Sequence, residues 1–275
     1  MRISVLVACF NRKEATRKCL ETLSKQLDER EDCLFEIYVY DDGSTDGTYE
    51  MLKNDFKNLV VKRGDGKTYW CKSMFFLMEL AAERKYDFYL MVNDDVQFED
   101  NFLSKMLDSY KKANCSCGIV GATRSANKGN TTYGGHDLNK TIMSPNGDLQ
   151  RCFWANWNCF LIDQEVLNRV GLIDGKYQHA WGDFDYSNRM RRQGIPIYLA
   201  TDYVGECEYN STKGTYMDNE LSRCERLRKL CSPKGLPLYS FFRYNTKVEG
   251  IKGVFKTLYG YASIVGYILL NRKID

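Results

Sequence analysis

The sequence predicts an α/β protein: a mostly parallel central sheet flanked by helices, followed by a helical C-terminal extension. Three observations carry this reading. Short apolar runs such as "ISVLVAC" at residues 3–9 are bounded by polar residues, as strands buried on both faces are. Segments of helical spacing alternate with them, as Ala15, Cys19, Leu20, Leu23 and Leu27 do after the first run. From about residue 214 onward, helical patterns dominate.

In chain order the pattern predicts a strand at 3–9, a helix at 12–27, a strand at 35–40, a helix at 46–56, a strand at 59–62, a helix at 68–84 and a strand at 87–92. Strands separated by helices imply right-handed crossovers and a sheet covered on both faces. "GIVGAT" is a further strand, but 124–152 is rich in Gly, Asn, Thr and Ser and reads as loops and hairpins. A strand at 158–162, helices at 163–170 and 183–193 and a strand at 195–200 follow. No low-complexity linker interrupts the chain, which divides into a main domain over 1–213 and the extension over 214–275.

With 275 residues and 44% apolar content the chain can bury a substantial core. Thirty-nine basic against 36 acidic residues leave +3, too balanced for a nucleic-acid footprint, so the expected partner is a small molecule and not a nucleic acid. Eleven cysteines without zinc-site spacing read as reduced thiols of a cytoplasmic protein. "MRISVLVACFNRKEA" reaches charge too soon for a signal peptide, which makes the sequon at Asn130 a chance match. "VFKTLYGYASIVGYILL" (254–270) is at the short limit for spanning a bilayer and is interrupted by Lys256. A helix packed on the domain fits it, as does one lying at a membrane surface with Lys247, Lys252, Lys256, Arg272 and Lys273 near headgroups.

Paired acids mark the strand ends. "YVYDDGSTDG" (38–47) runs a strand into Asp41 and Asp42, and "FYLMVNDDVQF" ends on Asn93, Asp94 and Asp95. Ligands of open α/β sheets bind at the carboxyl ends of the strands, so both pairs can face one crevice. Helix capping explains Asp46 and Asp100 better than it explains Asp42 and Asp95. A carboxylate pair on a buried strand end needs a cation or hydrogen-bond donors, and Mg²⁺ or Mn²⁺ suits such oxygens. Gly66-Lys67-Thr68 is not a phosphate loop, since that pattern needs glycine where Val61 stands, and Tyr69 breaks the dinucleotide fingerprint.

The third cluster is "HAWGDFDYSNRMRRQG" (179–194). Asp185 suits the first turn of a helix by dipole complementarity. Asp183 follows Trp181-Gly182, where an indole can shield the carboxylate and raise its pKa towards useful base strength.

Taken together, "VLVACFNR", "VYDDGSTDGT", "LMVNDDV" and "WGDFDYSNRMRRQG", in this order over residues 1–205, resemble the family 2 glycosyltransferases of GT-A fold. The resemblance implies a nucleoside-diphosphate sugar, a divalent metal (Mg²⁺ or Mn²⁺) and inversion at the anomeric carbon. It would place Cys9, Asn11 and Arg12 around the nucleotide, Asp42 and Asp65 on base or ribose, Asp94 on ribose or diphosphate, Asp95 on the metal and Asp183 as catalytic base. This chain departs from the family where Gly182-Asp183 replaces a common Glu-Asp pair, which makes Asp185 a rival base, and where Asn93 replaces a frequent aspartate.

Sugars are held by aromatic faces and amides, and Trp70, Trp154 and Trp157 are the aromatic candidates for donor or acceptor sugar. If 157–162 is a strand, Trp157 and Cys159 face one side and Asn156 and Asn158 the other. His179 can touch the diphosphate or acceptor. The expected activity is addition of one sugar, from a UDP- or dTDP-sugar, to a glycan or lipid-linked acceptor in bacterial surface polysaccharide synthesis. The site of action would be the cytoplasm, at the inner membrane face. Rival readings are a sugar-phosphate nucleotidyltransferase, disfavoured because "CFNRKEA" has no glycine, and a non-catalytic carbohydrate-binding scaffold.

Overall fold

A computed structural model describes residues 1–28, 30–270 and 272. The first half alternates β1 (Arg2–Cys9), α1 (Lys13–Asp28), β2 (Leu34–Asp41), α2 (Thr48–Asp55), β3 (Leu59–Arg63), α3 (Tyr69–Ala82) and β4 (Phe88–Asn93). After β5 (Gln97–Phe98), α4 (Phe102–Ala113) and β6 (Gly118–Arg124) come four short strands: β7 (Thr131–Tyr133), β8 (Gly135–His136), β9 (Gln150–Cys152) and β10 (Trp154–Ala155). β11 (Cys159–Asp163), α5 (Gln164–Val170), α6 (Gly182–Arg192) and β12 (Ile197–Glu206) complete the sheet region. α7 (Arg223–Leu230), α8 (Leu238–Glu249) and α9 (Ile251–Leu269) form the extension.

The main sheet has the order β3-β2-β1-β4-β11-β6-β12-β5. β3, β2, β1 and β4 are parallel, in a register that sets Leu6 beside both Tyr38 and Met91. From Ile3 to Cys9, Ser4 apart, β1 is apolar because both its faces are covered. Leu6 and Ala8 join Met74, Leu77 and Met78 of α3 in one core. Val5, Val7 and Cys9 join Cys19, Leu20 and Leu23 of α1 in the other. Each such fully buried side chain contributes roughly 1.5–3 kcal/mol.

Three details differ from the sequence expectation. β11 runs antiparallel between β4 and β6, because loops and hairpins, not a crossover helix, lead into it. It begins at Cys159, so Trp157 and Asn158 lie in the preceding turn and do not alternate across a sheet. Asp100 does not cap α4: it pairs with Lys25 at 3.6 Å, and the helix starts after Asn101 in the left-handed region.

The extension packs by its own chemistry. Ser222 and Glu225 form a capping box on α7. α8 and α9 make an antiparallel pair, tied by Asn245 Nδ2 donating to Thr257 Oγ1 at 3.1 Å. A side chain on Gly253 would collide with the backbone of Asn245, so glycine sets this close approach. α8 docks against α6 and the segment before it: Tyr244 lies 4.7 Å from the Trp181 ring, Arg243 pairs with Asp174 at 2.6 Å, and Lys247 reaches Asp174 at 2.6 Å and Asp185 at 3.1 Å. No described helix is long and apolar enough to cross a membrane.

Candidate active site

A cleft of about 410 Å³ opens at the carboxyl ends of β1, β2 and β4. One cleft therefore receives residues that stand more than a hundred positions apart: Asp42, Asp94, Asp95 and Asp183 all line it.

Asp42 is buried and its carboxylate is met from inside the chain. It accepts the backbone N–H groups of Thr68 at 3.1 Å and Tyr69 at 2.8 Å, so it caps α3, not the helix that follows it in sequence. The geometry depends on glycine. Gly43 has φ +73°, and a Cβ there would stand 2.7 Å from the Gly66 nitrogen, so the loops after β2 and β3 interlock through their backbones. Asp41 behind it is fully buried, accepts Ser44 N–H at 3.1 Å and lies 3.8 Å from Arg63; burial raises its pKa.

The acids after β4 also have a partner of their own. Arg12 Nη1 lies 2.5 Å from Asp95 Oδ2 and 3.3 Å from Asp94 Oδ1, and Thr16 donates to Asp94 Oδ2 at 3.0 Å. Burial nevertheless pushes Asp94 up to about 7, against the opposing pull of Arg12. Asn93 accepts the indole N–H of Trp70 at 2.8 Å, which fixes that ring against the cleft wall.

Asp183 enters from the first turn of α6. Trp181 before it adopts φ +79°, and a side chain at Gly182 would collide with Cys71 Sγ and Ile173. That close packing seats the helix end on α3 and the loop after α5. Tyr69, another cleft residue, also has a positive φ of 59°. Non-glycine residues held there are uncommon, and here two of them line one cleft. Burial raises Asp183 to about 6, while the Phe184 N–H at 2.9 Å favours its charged form.

Among the described residues, several buried polar atoms of the cleft have no protein partner: Ser73 Oγ, Trp157 Nε1, His179 Nδ1 and Trp181 Nε1. Buried polar groups are normally paired, which makes these atoms the cleft's candidates for bonding water or a ligand.

The model of the family described as "Glycosyl transferase family 2" matches residues 4–176. The chain belongs to that family. Its fold is that of the GT-A glycosyltransferases. It superimposes on S. aureus TarS 1-349 with a TM-score of 0.56 at 14% identity, covering 97% of this chain and 74% of that one. The same TarS fragment in complex with UDP-GlcNAc gives 0.56 at 13% identity, covering 100% and 93%. The Pyrobaculum calidifontis mannosyltransferase PcManGT, in complex with GDP-Man and Mn²⁺, gives 0.56 at 13% identity, covering 96% and 75%. No curated protein matches the chain.

Of the residues singled out in the sequence of this glycosyltransferase, Cys9, Arg12, Asp42, Trp70, Asn93, Asp94, Asp95, Asn156, Trp157, Asn158, His179 and Asp183 line the cleft. The others lie elsewhere. Asn11 is exposed and ties two loops together, accepting Thr45 N–H at 2.8 Å. Asp65 is exposed in a separate shallow depression with Arg63 and Lys67. Trp154 is buried in the short β8–β10 sheet. Asp185 is buried among Arg189, Lys247 and Tyr177, spent on ion pairs. Sequence reasoning missed Tyr133, at the end of β7, and Asn210 and Lys234, on loops with no motif, all of which reach the cleft.

Among the described residues no three His, Cys, Asp or Glu side chains gather as a metal cage. Mg²⁺ and Mn²⁺ do not require one: they commonly take one or two carboxylates and complete their shell with phosphate and water. Asp95, partly exposed at the cleft wall, fits that single-carboxylate mode once Arg12 releases it.

Proposed function

We propose that this glycosyltransferase transfers a sugar from a nucleoside-diphosphate sugar, with UDP and dTDP as the expected carriers, to a hydroxyl of a glycan or lipid-linked acceptor, with inversion. The observation that carries the reading is the meeting of Asp42, Asp94, Asp95 and Asp183 in one cleft, where among the described residues Ser73 Oγ, Trp157 Nε1, His179 Nδ1 and Trp181 Nε1 have no protein partner. The UDP-GlcNAc and GDP-Man bound by similar structures support the donor class.

In this reading the nucleotide lies between Cys9, the Asp42 loop and Tyr69, and Trp70 and Trp157 bound the sugar. Asp95 would hold Mg²⁺ or Mn²⁺, whose chemistry is to offset charge on the departing diphosphate. Asp183 takes the proton of the attacking hydroxyl. A carboxylate raised to about 6 is both ionised at neutral pH and a better base than an ordinary aspartate. Thermal unfolding with a panel of nucleotide sugars tests the donor class, because only ligands of the folded state raise its stability. Asp183→Asn separates catalysis from scaffolding, and the anomeric configuration of the product tests inversion.

We further propose that residues 1–213 act as the catalytic domain and that the extension over 214–275 rests on the inner face of a bacterial membrane, where surface polysaccharide acceptors are made. Ile251, Phe255, Leu258 and Leu269 repeat at helical spacing along α9 and are 72%, 67%, 61% and 51% exposed. Eleven Lys and Arg against five Asp and Glu give residues 214–275 a charge of +6, while the remainder of the chain is negative. An apolar helix face with basic surroundings suits an anionic bilayer surface.

A further inference from the structure

We propose that Lys234, on the loop between α7 and α8, binds the donor diphosphate, so that the C-terminal extension supplies a residue of the active site and not only a membrane contact. This inference rests on the nucleotide-sugar reading above. Arg12 and Lys234 are the two Lys or Arg side chains among the described residues of the cleft wall. Arg12 is already engaged by Asp94 and Asp95. Among the described residues Lys234 pairs with no carboxylate, unlike Lys247 and Lys256 of the same extension.

Its position is set by packing. The Lys234 ammonium stands 5.5 Å from the centroid of the Phe10 ring. Phe10 lies against Gly66 and shares the cleft wall with Asp42, at the end proposed for the nucleotide. The loop that presents it is tight. A side chain on Gly235 would collide with the carbonyls of Lys229 and Leu230, and Leu236 N–H bonds Leu230 O at 2.8 Å. Leu236 is buried with Leu230 and Ile268, which anchors the loop to α7 and α9. This packing fixes the backbone of Lys234 at the rim of the cleft.

The chemistry gives such a cation a task. As the bond from the anomeric carbon to the diphosphate oxygen breaks, its electron pair goes to that oxygen, while the acceptor oxygen bonds the carbon and its proton passes to Asp183. An ammonium at the cleft wall donates hydrogen bonds to the charge that accumulates on the leaving group. A metal at Asp95 would leave Arg12 beside Asp94, so among the described residues Lys234 is the cleft cation without a carboxylate partner.

The test uses the full chain with Lys234→Met and Lys234→Arg, whose exposed position leaves folding intact, as thermal unfolding would verify. Calorimetry with UDP, dTDP and GDP, and with uridine, thymidine and guanosine, should show Lys234→Met losing about tenfold to a hundredfold in diphosphate affinity, nucleoside affinity unchanged and Lys234→Arg close to wild type. Equal diphosphate affinity in wild type and Lys234→Met overturns the inference, as does an equal loss for nucleoside and diphosphate. If the wild type binds none of the three diphosphates, the nucleotide-sugar reading falls and this inference falls with it. A ligand-free check comes from NMR titration of His179, which burial and then the charges of Lys234 and Arg12 hold down at about 4. Its pKa should rise in Lys234→Met, and an unmoved value would count against Lys234 standing at the cleft.

Discussion

Arg12 Nη1 stands 2.5 Å from Asp95 Oδ2, so the acid pair after β4 holds a positive charge supplied by the chain itself. Any divalent ion at Asp95 must displace that guanidinium. Without nucleotide, Mn²⁺ should therefore bind weakly, and Arg12→Met should strengthen it by about tenfold, since a competing cation is worth one to two kcal/mol at a half-exposed site. Asp95→Asn should abolish the binding. Mn²⁺ titration followed by electron paramagnetic resonance reads both, and equal affinity in wild type and Asp95→Asn would remove Asp95 as the ligand.

Asp183→Asn keeps the shape of the side chain and removes the base. Turnover should fall by about 10²- to 10⁴-fold with donor affinity unchanged, measured by product formation and calorimetry. Turnover at the wild-type rate would support the scaffold reading.

The pH profile follows from the same residue. Asp183 must be ionised to accept a proton, so kcat/KM should fall as pH drops through about 6, and the limb should vanish in Asp183→Asn. A limb at the ordinary carboxylate range would point to another base.

The same raised pKa has a stability cost of opposite sign. Between the ordinary aspartate range and about 6 the folded state binds the extra proton, so wild-type stability declines as pH rises through that window. Asp183→Asn should therefore be the more stable protein at pH 7, by about 1–3 kcal/mol, with the gain shrinking below pH 5. Denaturant melts at pH 4.5 and pH 7.5 test it; a gain that grows on acidification would contradict the assignment.

Phe255→Glu with Leu258→Glu alters only exposed positions of α9. Fold stability should change by about 0.5 kcal/mol or less, while partition onto phosphatidylglycerol-containing vesicles should drop by about tenfold or more. Vesicle flotation reads this, and binding of the unmodified protein should weaken with added salt. If light scattering instead shows a dimer that the double substitution splits, the apolar face belongs to a second copy and not to a bilayer.

The sequence by itself determined the alternation of strands and helices, the placing of Asp42, Asp94 and Asp95 at strand ends, and Asp183 at a helix start. These are local properties, set by period, composition and turn chemistry. It also carried the family, through four motifs in order. The tertiary structure alone decided how each acid is satisfied. Asp42 caps a helix that begins 27 residues later, Asp94 and Asp95 share an arginine 83 positions before Asp95, and Asp185 pairs with a lysine of the extension. Asp183 and Asp185 look alike in sequence, two residues apart on one helix, yet one lines the cleft and the other faces α8. Lys234 had no local mark at all. Charge pairing depends on where distant segments pack, and a one-dimensional pattern does not encode which side of a helix its future neighbour will cover.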